Sequence, residues 1–298
     1  MLRMEESAPC AKSSEASDNS IIDRSSFVRG IGARYICGSD YGWSLDHGIR
    51  TREQFGRNAD KYRRSRTQGD ASSLDHIVGV IAPSADAEAL DVGCGGGQMA
   101  VALASKVRSV VAVDITPEML AQTALLAGEK ELINLVTCLS DARHLAFRDE
   151  AFDVVACRIV LHHLQDVDRA VPEMGRVTKR GGMLLIQDIL GSDCAAARDY
   201  MDEIEKLRDP SHVRDYDRKE WAGFLGEAGL RMIHEETLHG SYWLKDWTAR
   251  SATPAEKVRE IERRIRELPP HLAGHIKVYD SGSDWMIGMM YILLMATK

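Results

Sequence analysis

From residue 87 onward, short apolar runs of strand length alternate with longer stretches whose apolar residues recur at three- and four-residue steps. Uninterrupted apolar runs fit strands covered on both faces, and the stretches between them fit amphipathic helices. Strands are predicted over residues 87–92, 110–114, 134–138, 152–158, 183–189, 230–239 and 285–297. Helices are predicted over 55–65, 72–81, 98–106, 168–177, 194–208, 220–229 and 254–268, and a further one begins at Thr116-Pro117, with proline at its first position. Strand and helix alternate through residues 87–189, which predicts an α/β sheet with helices on its faces.

One junction in this pattern carries chemistry. The strand 87–92 runs into Gly93-Cys94-Gly95-Gly96-Gly97 and then into an Ala/Val/Leu helix. Glycines at a strand–turn–helix junction permit positive φ and let a ligand touch the backbone. A dinucleotide turn would be G-x-G-x-x-G/A, but Gln98 stands where its last small residue belongs, and no Tyr-x-x-x-Lys pair follows. Asp114 ends the next strand, 21 residues after Gly93, the offset at which a carboxylate accepts from a ribose hydroxyl pair.

Read as D-x-G-x-G-x-G, through Asp91, Gly93, Gly95 and Gly97, the turn resembles the first motif of class I S-adenosylmethionine (SAM) methyltransferases. The segment Leu161-His162-His163-Leu164 and the turn Lys179-Arg180-Gly181-Gly182 resemble parts of the ubiquinone/menaquinone-biosynthesis type, with Arg180 where proline is usual. The resemblance is continuous over residues 55–190. It implies a Rossmann-like, seven-stranded sheet with SAM as cofactor. Asp91 would meet the methionine ammonium, and Tyr62, in the helix over 55–65, would lie near the methionine end. Ile115 and Met119 would stand beside the adenine, with Asp141 accepting from its amino group and the Ala142 N–H on a ring nitrogen. Arg158 and His163 complete the implied cofactor set. The run Arg208-Asp209-Pro210-Ser211-His212-Val213-Arg214 resembles a branch of the same type.

Methyl transfer from a sulfonium needs chiefly alignment, and a base only where the acceptor must lose a proton. His162, His163 and His212 are the catalytic candidates, with Asp188 a further candidate base. No metal site is expected, since no third ligand follows the His162-His163 pair at a suggestive spacing. The predicted activity is methyl transfer to an oxygen or carbon of a small, largely apolar metabolite. The alternative is a SAM-binding cyclase or isomerase on the same scaffold, and motifs do not separate the two.

Composition narrows partners rather than fold. The 298 residues are 44% apolar and 28% charged with a net charge of −7, which disfavours a nucleic-acid surface. Six scattered cysteines without a C-x-x-C pair fit a reducing compartment, and no apolar run reaches membrane length, so a cytoplasmic protein is expected. Residues 1–20 read as a disordered tail, 21–80 as a helical extension, 81–190 as the SAM-binding core, and 191–298 as substrate-side helices with the last two strands. Aromatic residues outside the core (Tyr35, Tyr41, Trp43, Tyr200, Tyr242, Trp243, Trp247) suggest a lid from residues 21–65, 195–215 and 240–275. A homodimer or higher oligomer interface would use the same residue types.

Overall fold

In Glu88–Val92 (β1) successive side chains face opposite sides of a sheet. Leu90 and Val92 enter one buried apolar cluster, and Ala89 enters another. Both faces are covered, which is why the strand reads as a continuous apolar run rather than an alternating one. The structure is a computed structural model that describes residues 45–63 and 70–298, with side chains from residue 48 on. The expected tail, and Tyr35, Tyr41 and Trp43 of the expected lid, lie outside the described residues.

Helices α1 (Leu45–Arg63) and α2 (Ala71–Ile81) precede β1. Asp70 caps α2, its carboxylate accepting from the Ser73 N–H at 3.1 Å. After β1 come α3 (Gln98–Ala104), β2 (Ser109–Asp114), α4 (Pro117–Glu129) and β3 (Leu135–Leu139). The second half holds β4 (Phe152–Arg158), α5 (Val167–Val177), β5 (Thr178–Ile189), α6 (Ala195–Arg208), α7 (Arg218–Glu227) and β6 (Arg231–Trp243). It closes with α8 (Leu244–Arg250), α9 (Ala255–Arg266), β7 (Lys277–Asp280) and β8 (Trp285–Thr297). Strand order is β3-β2-β1-β4-β5-β8-β6, and β8 runs antiparallel to β5 and β6. Because β1 pairs with both β2 and β4, the chain reverses its direction of winding there and leaves a crevice at the strands' carboxyl ends. The glycine turn opens into that crevice.

Among the described residues the sheet has eight strands, one more than expected. The extra strand, β7, forms a hairpin with β8, and its Lys277, Tyr279 and Asp280 are exposed, so no apolar run announces it. The Lys179–Gly182 segment is not a separate turn. It bulges out of β5 between the Phe152↔Thr178 and Val154↔Met183 pairs, with Gly181 at φ +72. Residues 195–215 and 240–275, expected as lid, have a core of their own. Ile204 of α6, Leu244 and Trp247 of α8, and Ile261 and Ile265 of α9 pack on Ile287 and Met289 of β8. The Tyr200 hydroxyl spans two of these helices by donating to the Arg264 carbonyl at 2.7 Å, so Tyr200 works as a tie within that wall.

Among the described cysteines Cys94, Cys157 and Cys194 carry free thiols, whereas Cys138 is disulfide-bonded, which the expectation of a reducing compartment did not foresee. No described helix is long and apolar enough to cross a membrane.

Candidate active site

The glycine turn is held by one carboxylate. Asp114 accepts from the Gly95 N–H at 2.9 Å with one oxygen and from the Thr116 N–H at 2.8 Å with the other, tying the ends of β1 and β2 together. It was expected to face a ribose. It lines the crevice, and each oxygen keeps a lone pair for that purpose, but half its bonding capacity is spent on the fold. Gly93 is packed: a Cβ there would lie 2.5 Å from Val160 Cγ2, on a backbone at φ +70. Gly95, at φ +52, has open space where its Cβ would be. Gly97 does not line the crevice, contrary to expectation. It caps α3 at φ +91, and Gly96 takes its place in the wall.

Asp91 is the least satisfied polar group of the turn. It is 1% exposed, and its Oδ2 has no hydrogen-bond partner. Burial pushes its carboxyl up to about 7, against the pull of the Arg158 charge. A cation brought to Oδ2 would supply the missing partner.

The C-terminal end of α1 closes over this turn. Gln98, whose side chain excluded a dinucleotide turn, donates from Nε2 to the carbonyls of Tyr62 and Arg63, both at 2.9 Å. Tyr62 is buried. Its ring meets Phe55 edge-on at 5.1 Å, and Phe55 meets His163 at 4.9 Å.

Beyond β4 the backbone turns sharply at Ile159, a β-branched residue at φ +58. Such a conformation costs on the order of 1–3 kcal/mol and needs support. Asp188 supports it from the next strand, its Oδ2 accepting from the N–H groups of Val160 (3.1 Å) and Leu161 (2.7 Å). Its Oδ1 accepts from the Ile189 N–H at 2.8 Å and pairs with His162 Nδ1 at 2.5 Å. Burial alone would raise the Asp188 pKa and lower that of His162, yet their mutual attraction reverses both shifts. The pairing favours a charged imidazole on His162 beside an ionised Asp188, whose contacts with three backbone N–H groups and His162 make it a positioning residue.

His163 has the opposite character. Burial and the neighbouring His162 charge push it well below the usual imidazole range, so it stays neutral. Its Nδ1 lies 3.1 Å from Ser211 Oγ, and Ser211 donates to Asp209 Oδ1 at 2.5 Å. With the hydroxyl proton committed to Asp209, Ser211 accepts from Nδ1–H, which leaves the lone pair on Nε2. His212 is not in the crevice. It is buried behind His162, rings 5.7 Å apart, with its Nε2 2.9 Å from Asp202 Oδ1. Ligand-type atoms of Asp202, His212 and Asp215 all lie within 4.8 Å of one another, a grouping that adjacent-residue spacing could not reveal.

A cavity of about 410 Å³ joins these parts. Of the expected cofactor residues, Tyr62, Asp91, Gly93, Gly95, Asp114, Ile115, Met119, Asp141, Ala142, Arg158 and His163 line it. Asp141 is less free than expected, since Arg143 bonds its two oxygens at 3.1 and 2.7 Å. His162 lines the cavity as well, and so do Arg208, Tyr242, Trp247, Arg250 and Tyr291, of which Arg208, Arg250 and Tyr291 were not singled out from sequence. Trp243, 41% exposed, points elsewhere.

A model described as a methyltransferase domain matches residues 90–186. YcgJ of Bacillus subtilis, an uncharacterized methyltransferase, is 30% identical over 207 residues, which cover 70% of this chain and 82% of YcgJ. The chain belongs to the class I methyltransferases. The crystal structure of YcgJ aligns with this methyltransferase at a TM-score of 0.70 and 28% identity, over 76% of this chain and 98% of that one. A ubiquinone biosynthesis O-methyltransferase of Xylella fastidiosa is 34% identical over 119 residues, 39% of this chain and 47% of its own. The [4+2]-cyclase SpnF shares the fold, with a TM-score of 0.54 at 22% identity over 76% of this chain and 80% of its own. Family membership implies SAM as methyl donor, and two features of the turn fit it. They are the partnerless Asp91 oxygen, for a methionine ammonium, and the open space at Gly95.

Proposed function

We propose that this methyltransferase moves the methyl group of SAM to an oxygen or carbon of a small, largely apolar metabolite, with His163 orienting the acceptor. The observation that carries this reading is one cavity holding both a partnerless buried carboxylate oxygen, on Asp91, and a neutral imidazole whose Nδ1 proton is engaged by Ser211. When bound, SAM supplies an electrophilic methyl group on a sulfonium. Asp91 binds the ammonium, Gly95 lets the ligand lie on the turn, and Phe55 and Tyr62 shield it from water. His163 Nε2 accepts a hydrogen bond from the acceptor's hydroxyl and turns its oxygen toward the methyl group, while Ser211 and Asp209 fix the tautomer and ring orientation. The His162–Asp188 pair holds the strained backbone that presents His163. Trp247, Tyr242 and Tyr291 offer the acceptor flat apolar surface.

A cyclase or isomerase that binds SAM without consuming it is the competing reading, and the fold shared with SpnF is its support. Incubating the protein with methyl-labelled SAM and candidate phenols, enols and acids decides between them. Labelled product with stoichiometric S-adenosylhomocysteine is expected. Turnover of an acceptor without S-adenosylhomocysteine would move the protein to the cyclase class.

A further inference from the structure

Two guanidiniums line the cavity at the ends of α6 and α8. Arg208, at the end of α6, is mostly buried. Its Nε donates to the Trp247 carbonyl at 3.1 Å, and its guanidinium lies 4.6 Å from the centre of the Trp247 ring. Arg250, at the end of α8, sits over the Tyr242 ring at 5.1 Å, and its buried Nε has no hydrogen-bond partner. Neither guanidinium forms an ion pair with a described residue. Two carboxylates lie near them: the Asp209 charge meets that of Arg208, and Glu205 keeps a buried oxygen, Oε1, without a hydrogen-bond partner. Asp209 accepts from both the N–H (2.9 Å) and the hydroxyl (2.5 Å) of Ser211, and Glu205 Oε2 lies 3.8 Å from His212 Nδ1.

We propose that Arg208 and Arg250 form a subsite for an anionic group, a carboxylate or a phosphate, carried by the methyl acceptor. This rests on the methyltransferase reading above and narrows its substrate class. Buried like charges repel, and both burial and the Arg208 charge lower the Arg250 pKa. Such a pair is costly until an anion joins it, and the guanidinium fork matches the planar carboxylate and the phosphate oxygens. The surrounding rings of Trp247, Tyr242 and Tyr291 suit a flat body attached to that anion, with the Tyr242 and Tyr291 hydroxyls 2.5 Å apart. The methionine carboxylate of SAM has a different guanidinium at hand. Arg158 acts on Asp91 by its charge and donates from Nε to Gln187 Oε1 at 2.8 Å.

The test uses the full chain saturated with S-adenosylhomocysteine and titrated calorimetrically with benzoate, with its neutral isostere benzamide, and with inorganic phosphate. Wild type should bind benzoate or phosphate, benzamide about tenfold more weakly, and Arg250→Gln and Arg208→Gln should each lose at least about tenfold in anion affinity. Whichever of benzoate and phosphate binds more tightly names the acceptor's anionic group. Absence of anion binding in wild type, equal affinity for benzoate and benzamide, or unchanged anion affinity in both variants overturns the subsite. A parallel fall in S-adenosylhomocysteine affinity also overturns it, because the guanidiniums would then serve the methionine carboxylate. The comparison of benzoate with benzamide needs no variant, so misfolding of either substitution leaves the proposal exposed to refutation. Failure of the wild type to bind S-adenosylhomocysteine is a separate outcome, and it removes the methyltransferase reading itself.

Discussion

The two ends of the cavity are built from different materials. At the donor end the ligand-facing groups are mostly backbone, or side chains bound to backbone, with Asp91 Oδ2 the exception. The Gly93–Gly96 turn forms the floor, and Asp114 is held by two N–H groups. At the acceptor end they are side chains gathered from His163, Arg208, Tyr242, Arg250 and Tyr291, each on a different element. A site made of backbone cannot be altered without disturbing the fold, whereas a site made of side chains can change its ligand and leave the sheet intact. Substitutions in the glycine turn should therefore cost stability and cofactor affinity together, and those at the acceptor end should cost turnover alone.

Gly93→Ala should show the largest effect. Its methyl would lie 2.5 Å from Val160 Cγ2, on a backbone at φ +70. Overpacking and left-handed strain together should remove roughly 2–5 kcal/mol of stability, measured by urea denaturation, and S-adenosylhomocysteine binding with it. Gly95→Ala, two residues on, meets open space and should lose only about 1–2 kcal/mol, while still weakening the ligand. Equal stability losses in the two variants would mean that the turn is not packed as described.

At the other end, His163→Ala should lower kcat by about a hundredfold or more, with S-adenosylhomocysteine affinity and melting temperature little changed. A variant that loses affinity and stability in proportion to rate would place His163 among the packing residues and erase the contrast between the two ends.

Asp91→Asn probes the donor end through pH. A carboxylate raised from 3.8 to about 7 favours folding while protonated, and that contribution is lost as pH rises through 7. Without ligand, the variant should match wild type near pH 3 and exceed it increasingly as pH rises toward 7, by about 1–4 kcal/mol near pH 8. Donor affinity should show the reverse sign. Wild type should bind S-adenosylhomocysteine more tightly as pH rises from 6 to 8, and Asp91→Asn should bind weakly at both values. A flat pH profile in wild type would remove Asp91 from the ammonium site.

The same division governs what was legible in the chain. Strand–turn–helix spacing is local, so Asp91, the glycine turn, Asp114 and Asp141 all stood out, and 285–297 is the strand observed. The tie from Gln98 to the end of α1 spans 36 positions, and nothing in either segment signals it. Ser211 was visible only as part of an unusual run, because its partner His163 lies 48 positions away. Arg250 sits in a charged helical stretch, where its composition resembles a solvated surface. Its burial follows from Trp247 and Leu244 docking on β8, a tertiary event.

The smallest effect is expected where the two ends meet, at Ile159. Its φ of +58 is unfavourable for any residue with a Cβ, by about 1–2 kcal/mol, and glycine escapes that cost. Replacing Ile159 by Ala keeps the strain and loses the side chain, and replacing it by Gly loses both. Glycine is normally the less stable of the two, by about 0.5–1 kcal/mol, because its unfolded chain is freer. At a strained position the order should invert, leaving Ile159→Gly more stable than Ile159→Ala by about 0.5–1 kcal/mol in urea denaturation. The inversion should come with a loss of turnover in the glycine variant, since a freer hinge no longer fixes His163 against Ser211. Alanine proving the more stable would mean that the backbone at Ile159 is relaxed. Asp188 would then be holding His162 alone, rather than a strained turn between the two ends of the cavity.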